Sequence, residues 1–441
     1  VRIAEESEKP NGKRLKGYSD SELPTLKLSL LTTEPVYLDY EKALLVDALQ
    51  RAKRNLGTNH PAIQAALQGK TIEALVESIF EQTQLHDLQY REFLYQNKID
   101  PTGLFNFQNT LEASNKKALP GINLSEKALI PMWGWKDSLV TIETFQRNGF
   151  DFETVVFGKM DSIKTPMSER LWVKNLLIKR KLSENLFPLN DLWYYNGHVP
   201  ITGIIAFSLI VAAYLYDYKY VVLSNEASAE SPNTIWNGFE INHQYSKSAE
   251  FENDFRKYIS DGINTDVEYF SFLRWLYEIQ ITKLFSKLAV KYFDIFSSCN
   301  NNFKIWEWWN KNTLWCNTCP KCLFVYAMLA AFLSDDEIMQ IFWRDLYADE
   351  ELETTFRELL GLQWIKPFEC VGEVEEVVIA MKIATEKCKW DLPHILQIFN
   401  TEVLSTMSSE EIEKIEKKLF KIYRADNIPE WINDLEKKLH G

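Results

Sequence analysis

The sequence contains few cysteines, few glycines and prolines, and no excess of positive charge. Its 441 residues include only six cysteines, too few for a disulfide-stapled secreted protein. The longest apolar run, Ile201–Tyr216, has 16 residues, whereas a membrane-spanning helix needs about 20. The formal net charge of -13 disfavours nucleic acid as a partner, because such binding requires cationic surface. With no secretory signal predicted, we expect a cytoplasmic chain without membrane insertion.

The composition, 46% hydrophobic and 13% aromatic, is typical of a globular protein, and the length allows two or three domains. We expect residues 1–120 to be mainly helical, because apolar residues recur there at helical spacing, as at Ile72, Leu75, Val76, Ile79 and Phe80. Residues 276–441 are also expected to be helical. In that region Ser408 and Glu411 predict a capping box for a helix that continues through Ile422.

Residues 121–275 are expected to form an α/β domain. Short apolar segments suited to strands occur at 128–132, 152–157, 192–195 and 220–224, and helices are predicted at 139–147 and Ile201–Tyr216. Short apolar strands that alternate with helices indicate a parallel sheet covered by helices on both faces. The sequence therefore predicts an α/β core between two helical regions.

Three cysteines at every third position form the most specific motif of the chain. They are Cys316, Cys319 and Cys322, and Cys299 lies upstream as a fourth ligand. Four thiolates complete a tetrahedral zinc shell and leave no open position for a substrate, so we predict a structural zinc site. A disulfide knot or a group of buried structural thiols is the alternative.

A short turn over residues 133–138 follows the first predicted strand. In α/β proteins the turn after a parallel strand holds ligands, and the N-terminus of the next helix favours a phosphate. Lys136 would add a charge and Ser138 a hydroxyl, while Asp137 would hold magnesium or orient a phosphate-bound water. An ordinary helix N-cap explains Asp137 and Ser138 about as well.

Two further segments carry clustered polar residues. Asn225 and Glu226 follow the fourth predicted strand, and His243, Tyr245 and Lys247 crowd together within residues 242–252. A solvated loop is the plain alternative for the second segment. Otherwise Lys247 would bind phosphate, or act as a base if burial lowers its pKa, and His243 could do either near neutral pH.

Cys370 lies between two glutamates in the segment 366–373. The sequence neighbours Glu369 and Glu373 would raise the pKa of a thiol by charge repulsion. A lone cysteine is also most often a buried, unreactive side chain. The local sequence therefore favours an inert thiol over a reactive thiolate.

These segments together resemble one family. Gly134, Asp137 and Ser138 match the pyrophosphatase loop (PP-loop) of ATP-adenylating enzymes, although Trp133 and Trp135 replace its small residues. With this loop, the segments 136–140, 224–229, 242–247, 315–322 and 366–373 resemble, in order, the ATP-dependent UDP-N-acetylmuramoyl-L-alanyl-L-glutamate epimerases, the MurL family. The cysteine cluster also resembles the zinc knot of 7-cyano-7-deazaguanine synthases.

The resemblance implies a PP-loop α/β core and an isomerase of bacterial cell-wall synthesis. Such an enzyme inverts the terminal L-glutamate of a UDP-MurNAc-dipeptide substrate to D-glutamate. ATP with Mg²⁺ would convert the glutamate carboxylate into an acyl-adenylate, which loses the carboxylate charge and makes the α C–H more acidic. A base and an acid on opposite faces of the α-carbon would then complete the inversion.

The resemblance also implies two sets of site residues. Residues that would hold ATP and magnesium are Gly134, Lys136, Asp137, Ser138, Asn225 and Glu226. Residues that would transfer protons or contact substrate phosphate are His243, Tyr245 and Lys247, with Cys370 as a proton donor on the second face. Two alternatives stay open. One is a different PP-loop ligase or amidotransferase, and the other is a zinc-stabilised binding scaffold whose nucleotide loop the two tryptophans have closed.

Overall fold

The computed structural model describes residues 86–100, 123–180, 186–192, 200–260, 266–303, 313–363, 366–389, 391–421 and 429. The helix predicted around residues 72–80 lies outside these ranges. Within the described part of the N-terminal region, helix α1 spans His86–Gln96, in agreement with a helical prediction for that part.

The described residues form seven strands and twelve further α-helices. The strands are β1 (Ala128–Pro131), β2 (Phe152–Gly158), β3 (Asn175–Lys179), β4 (Tyr220–Leu223), β5 (Thr234–Trp236), β6 (Phe239–Ile241) and β7 (Glu268–Ser271). The helices are α2 (Lys136–Arg147), α3 (Lys164–Leu171), α4 (Leu186–Asp191), α5 (Ile201–Tyr216), α6 (Ala249–Tyr258), α7 (Glu278–Leu288), α8 (Pro320–Ala330), α9 (Asp335–Phe342), α10 (Glu353–Leu359), α11 (Val374–Lys387), α12 (His394–Ile398) and α13 (Ser409–Phe420).

Five strands form one parallel sheet in the order β3-β2-β1-β4-β7. Ala128 of β1 pairs with Phe152 of β2 on one side and with Tyr220 of β4 on the other. The remaining pair, β5 and β6, is an antiparallel hairpin whose turn residues Asn237 and Gly238 both have positive φ, as a tight hairpin turn requires. The predicted α/β class with a parallel sheet is confirmed, while the PP-loop identity of the core stays a prediction.

Alternate residues of the central strands pack on opposite faces of the sheet. Leu129 belongs to a core with apolar residues of α5 and α6, whereas the next residue, Ile130, belongs to a core with residues of α2, α7 and α8. The apolar helix α5 has the predicted bounds, and ten of its 16 residues are buried. The sheet is thus covered on both faces, which explains why its strands carry few polar residues.

Two strands of the sheet were not predicted, and one predicted strand lies mostly outside the described residues. The third described strand is Asn175–Lys179, whereas of the predicted strand 192–195 only Leu192 is described, and it lies in a turn after α4. β3 and β7 are the two edge strands; β3 has partly exposed residues, and β7 has polar residues, Glu268 and Ser271, at its two ends. Edge position and polar residues both weaken the apolar signal from which strands are predicted.

The described residues of the C-terminal region are mainly helical, as predicted. The capping box of α13 is confirmed, because the Ser408 hydroxyl accepts the Glu411 N–H at 3.2 Å and the Glu411 carboxylate accepts the Ser408 N–H at 2.8 Å. Among the described helices, none has the length and apolar character needed to cross a bilayer. The division at residues 120 and 275 stays a prediction.

Candidate active site

The predicted ligand loop lies where the strand order of the sheet reverses. The chain runs from β1 through β2 to β3 on one side and then returns to β4 on the other side of β1. The loops that leave β1 and β4 therefore open a crevice at the carboxyl edge, which is the usual ligand position in this kind of sheet. One loop carries Gly134, and the other carries Asn225 and Glu226, which are both buried. The Asn225 amide donates to the Ser271 hydroxyl at the end of β7, at 3.0 Å.

Gly134 occupies a backbone position that other residues would strain. Its φ is +86°, and an added Cβ atom would lie 2.5 Å from Cγ2 of Ile163. The Gly134 carbonyl accepts the Ser297 N–H at 3.0 Å, which joins this turn to the chain just before Cys299. Helix α2 then begins at Lys136, three residues before its predicted start, and the Ser138 hydroxyl donates to the Trp135 carbonyl at 2.9 Å. The first turn of α2 is therefore polar and buried.

A network of buried charges surrounds this first turn. The Lys136 ammonium has no exposed surface, and it donates to the carboxylates of Asp137 and Glu278. Lys321, which lies between Cys319 and Cys322 in the sequence, contacts the same Glu278 carboxylate at 3.4 Å. Buried ions carry a large desolvation cost, so such a cluster in a crevice indicates a functional site. Sequence reasoning missed Glu278, because one acidic residue at a helix start is common and carries no motif.

The acidic residues of this network differ in protonation. Burial raises the pKa of Asp137, and the nearby Glu278 charge raises it further. At Glu278 burial is outweighed by Lys136 and Lys321, so the pKa of this carboxyl lies below its usual range. Burial and the Glu278 charge raise the pKa of Glu376 to about 8. At neutral pH Glu376 is therefore mostly a neutral acid beside an ionised carboxylate, a separation typical of acid–base sites.

His243, Lys247 and Cys370 meet in space although 127 positions separate the first from the last in the sequence. Burial opposes ionisation of the Cys370 thiol, but the Lys247 charge and a hydrogen bond from His243 outweigh it and lower the pKa of Cys370 to about 6. Burial likewise opposes the charge of His243, but hydrogen bonds with Cys370 and Glu92 raise its pKa to about 10. The charges of His243 and Lys247 thus favour the thiolate of Cys370, whereas its sequence neighbours predicted a shift of its pKa in the opposite direction.

Lys247 is a cation in this site. Burial alone would lower the pKa of Lys247, but the negative charges of Cys370 and Glu226 raise it above its ordinary value. The sequence suggested Lys247 as a base only if its pKa were lowered, and this condition is not met. The ammonium lies 3.2 Å from the Gln244 side-chain oxygen and 5.0 Å from the centre of the Trp135 ring, so Trp135 forms a cation–π contact at the site.

The segment around Lys247 is ordered by local capping. Tyr245–Lys247 form one 3-10 turn, and the Ser248 hydroxyl caps α6 by accepting the Phe251 N–H at 3.1 Å. The Tyr245 ring packs against Phe251 with centroids 6.3 Å apart and belongs to the core beside α5 and α6. The structure therefore places Tyr245 mainly in packing, whereas Lys247 on the same turn reaches the charged cluster.

The four predicted metal ligands converge. Their sulfur atoms all lie within 4.8 Å of one another, and the Cys316 and Cys322 sulfurs are 3.6 Å apart. A zinc tetrahedron with bonds of about 2.3 Å places its sulfurs about 3.8 Å apart, whereas a disulfide bond is about 2.05 Å. Backbone N–H groups of Cys319 and Cys322 point to the sulfurs of Cys316 and Cys319 at 3.3 and 3.4 Å. This cluster could hold a metal ion, and its four cysteines form no disulfide bond in the structure.

Comparison with known proteins shows the family to which the chain belongs. The family model described as the MurL N-terminal domain matches residues 62–272, and the MurL C-terminal domain matches residues 295–414. A relative from Xanthomonas oryzae pv. oryzae (strain MAFF 311018), named UDP-N-acetyl-alpha-D-muramoyl-L-alanyl-L-glutamate epimerase, is 34% identical over 348 residues, 79% of this chain and 76% of the relative. The chain belongs to the MurL family.

Two actinobacterial relatives carry the same name. The protein from Micromonospora sp. is 39% identical over 269 residues, and the one from Salinispora tropica is 37% identical over 267 residues. These matches cover 61% and 60% of this chain but only 59% and 57% of the relatives, so the chain spans less than two thirds of their length. A Peptidase S46 model also matches residues 1–103, of which the structure describes 86–100.

The two MurL matches divide the candidate site between them. His243, Lys247 and the loop at Gly134 lie in the N-terminal match, whereas Cys370 and the four clustered cysteines lie in the C-terminal match. Glu278 falls between the two matched ranges. The buried charges and the thiolate therefore form where the two MurL segments meet.

Proposed function

We propose that this protein is an ATP-dependent epimerase that inverts the terminal L-glutamate of UDP-MurNAc-L-Ala-L-Glu to D-glutamate for peptidoglycan synthesis. The observation that carries the proposal is the half-buried Cys370 thiol beside His243 and Lys247, whose positive charges lower its pKa, in a chain whose MurL relatives are named for this epimerisation. A thiolate with a pKa below neutral is available as a base without first losing a proton to solvent.

Activation of the substrate belongs to the crevice between β1 and β4. The start of α2 and Lys136 would bind ATP phosphates, since helix N-termini and lysines both attract anions. Asp137 and Glu226 are buried carboxylates close enough that the Glu226 charge raises the pKa of Asp137, and such a pair suits a hard divalent cation. Mg²⁺ held there would offset phosphate charge during adenylation.

The inversion follows from the charges of the second group of residues. Attack of the glutamate carboxylate on the α-phosphorus of ATP releases pyrophosphate and forms the acyl-adenylate. The Cys370 thiolate then takes the α-proton, and the resulting enolate lies beside the ammonium of Lys247, which stabilises it. The protonated Lys247 returns a proton on the opposite face, and water cleaves the anhydride to give AMP and the D-glutamyl product. The Cys370 thiol then loses its proton to solvent and the Lys247 amine takes one up, which restores the thiolate and the ammonium. Lys247 thus acts as the acid and Cys370 as the base.

An exchange experiment tests this function. The protein is incubated with ATP, Mg²⁺ and UDP-MurNAc-L-Ala-L-Glu in deuterated water, and the product is hydrolysed for chiral analysis and mass spectrometry. We expect deuterium at the glutamate α-carbon, formation of D-glutamate, and at least one AMP for each D-glutamate formed. AMP without exchange would favour an adenylating ligase, and a lack of AMP at millimolar ATP would favour a binding scaffold with a closed loop.

We also propose that the four-cysteine cluster holds structural zinc. Removal of the metal with a chelator and a thiol reagent should release one zinc per chain and lower Tm by about 10 °C. A structural zinc contributes several kcal/mol to the free energy of unfolding, and each kcal/mol shifts Tm by about 2–4 °C. Elemental analysis and thermal unfolding measure both effects. Cys388→Ser, outside the cluster, is the control, and a full zinc equivalent retained by Cys316→Ser would contradict the assignment.

A further inference from the structure

Helix α1 reaches the thiolate site from the N-terminal region. Glu92 is 5% exposed, and its carboxylate lies 2.8 Å from Nδ1 of His243. Three residues along the helix, the Tyr95 ring stacks on Phe368 with centroids 5.3 Å apart, which fixes α1 to the segment that carries Cys370. The same helix thus contacts His243, 151 positions away in the sequence, and Phe368 in the segment that carries Cys370.

The arrangement places three groups in one chain of hydrogen bonds. The Glu92 carboxylate accepts from the His243 ring, and the His243 ring hydrogen-bonds the Cys370 thiol. A buried carboxylate that holds an imidazole fixes the orientation of the ring and stabilises its positive charge. The positive ring in turn favours the thiolate over the thiol. Lys247 acts on the same sulfur by charge, whereas the contact of Glu92 is with His243.

We propose that Glu92 is a positioning residue that keeps His243 oriented and charged beside Cys370, so that helix α1 completes the proton-transfer site. The inference rests on the proposed function for its catalytic meaning, but its physical content, a carboxylate that controls the ionisation of a thiol, does not depend on the substrate. It also gives a role to the N-terminal region, in which the sequence shows no chemical motif.

The test measures the ionisation of Cys370 directly in the full-length protein. The rate of alkylation by iodoacetamide is followed from pH 4.5 to 9, and the Cys370 peptide is quantified by mass spectrometry so that the other cysteines do not contribute. We expect a midpoint near pH 6 for the wild type and a midpoint about one unit higher for Glu92→Gln, because a His243 ring no longer held by the carboxylate turns its positive charge away from the sulfur, and loss of a neighbouring opposite charge commonly shifts a pKa by 1–3 units. At pH 5 the alkylation rate of the variant should be about tenfold lower.

Two comparisons make the result specific. Glu240→Gln removes an exposed carboxylate on the neighbouring strand β6 and should leave the midpoint unchanged. His243→Gln should raise the midpoint at least as much as Glu92→Gln, and the double variant should raise it no further than His243→Gln alone. Additive shifts would show that Glu92 does not act through His243 and would overturn the inference.

The outcome is independent of whether the epimerase assignment holds. If the wild type shows no α-proton exchange but Glu92→Gln still shifts the alkylation midpoint, the proposed function fails and the positioning role of Glu92 stands. If the wild type exchanges the α-proton and Glu92→Gln leaves the midpoint and the pH profile of exchange unchanged, the positioning role is wrong while the function stands. Circular dichroism of each variant confirms that the isosteric change preserves the fold.

Discussion

Replacement of Cys370 by serine is expected to lower α-proton exchange at the substrate glutamate by about 10³-fold while AMP formation continues. The change keeps the shape of the side chain and removes its ionisation, because a serine hydroxyl stays protonated at neutral pH. General acid–base groups typically contribute about 10²–10⁴-fold, and the depressed pKa of Cys370 places its effect within that range. Adenylation takes place at the loop after β1 and does not require the thiolate.

The two partial reactions are measured separately. Pyrophosphate release reports adenylation, and deuterium incorporation at the α-carbon reports proton transfer. Cys388→Ser is the matched control, since Cys388 is another half-buried cysteine and lies outside the site at the end of α11. The pH dependence gives a second check: wild-type exchange should fall as the pH drops through about 6, because Cys370 then becomes a thiol. Wild-type exchange rates in Cys370→Ser would rule out a catalytic role for the thiolate.

Replacement of Lys136 by methionine is expected to destabilise the protein by about 3–5 kcal/mol. Lys136 is fully buried between the carboxylates of Asp137 and Glu278, so its removal leaves buried negative charge with less compensation. The second change Glu278→Gln removes one of these charges. The double variant Lys136→Met/Glu278→Gln should therefore be more stable than Lys136→Met alone, although it lacks the lysine that we propose for ATP phosphates.

Urea unfolding of the single and double variants measures these free energies. Lys417→Met is the control, because Lys417 pairs with Glu413 on the exposed face of α13 and such surface pairs contribute less than about 1 kcal/mol. If the free energy of unfolding of Lys136→Met lay within 1 kcal/mol of the wild-type value, Lys136 would not be the counter-charge that stabilises the buried carboxylates. If the double variant were less stable than Lys136→Met, compensation between the two charges would be excluded.

Much of the fold can be predicted from local patterns in this chain. The apolar helix Ile201–Tyr216, the capping box at Ser408 and three strands of the sheet follow from side chains that are neighbours along the chain. The spacing of Cys316, Cys319 and Cys322 likewise predicts their convergence, because a turn of a few residues brings them together. The same reasoning does not predict β3 and β7, since short strands with partly exposed side chains, or with both polar and apolar side chains, resemble loops in sequence.

The sequence by itself determined the α/β class, the loop at Gly134 and the cysteine cluster, because each depends on spacing over a few residues. Only the tertiary structure decided the electrostatics of the site. Near Cys370 in the sequence are Glu369 and Glu373, which predict a raised pKa, but near it in space are Lys247 and His243, which lower it. Charge interactions act through space, so contacts such as Glu92 with His243 or Lys136 with Glu278, across more than a hundred residues, have no counterpart in local sequence.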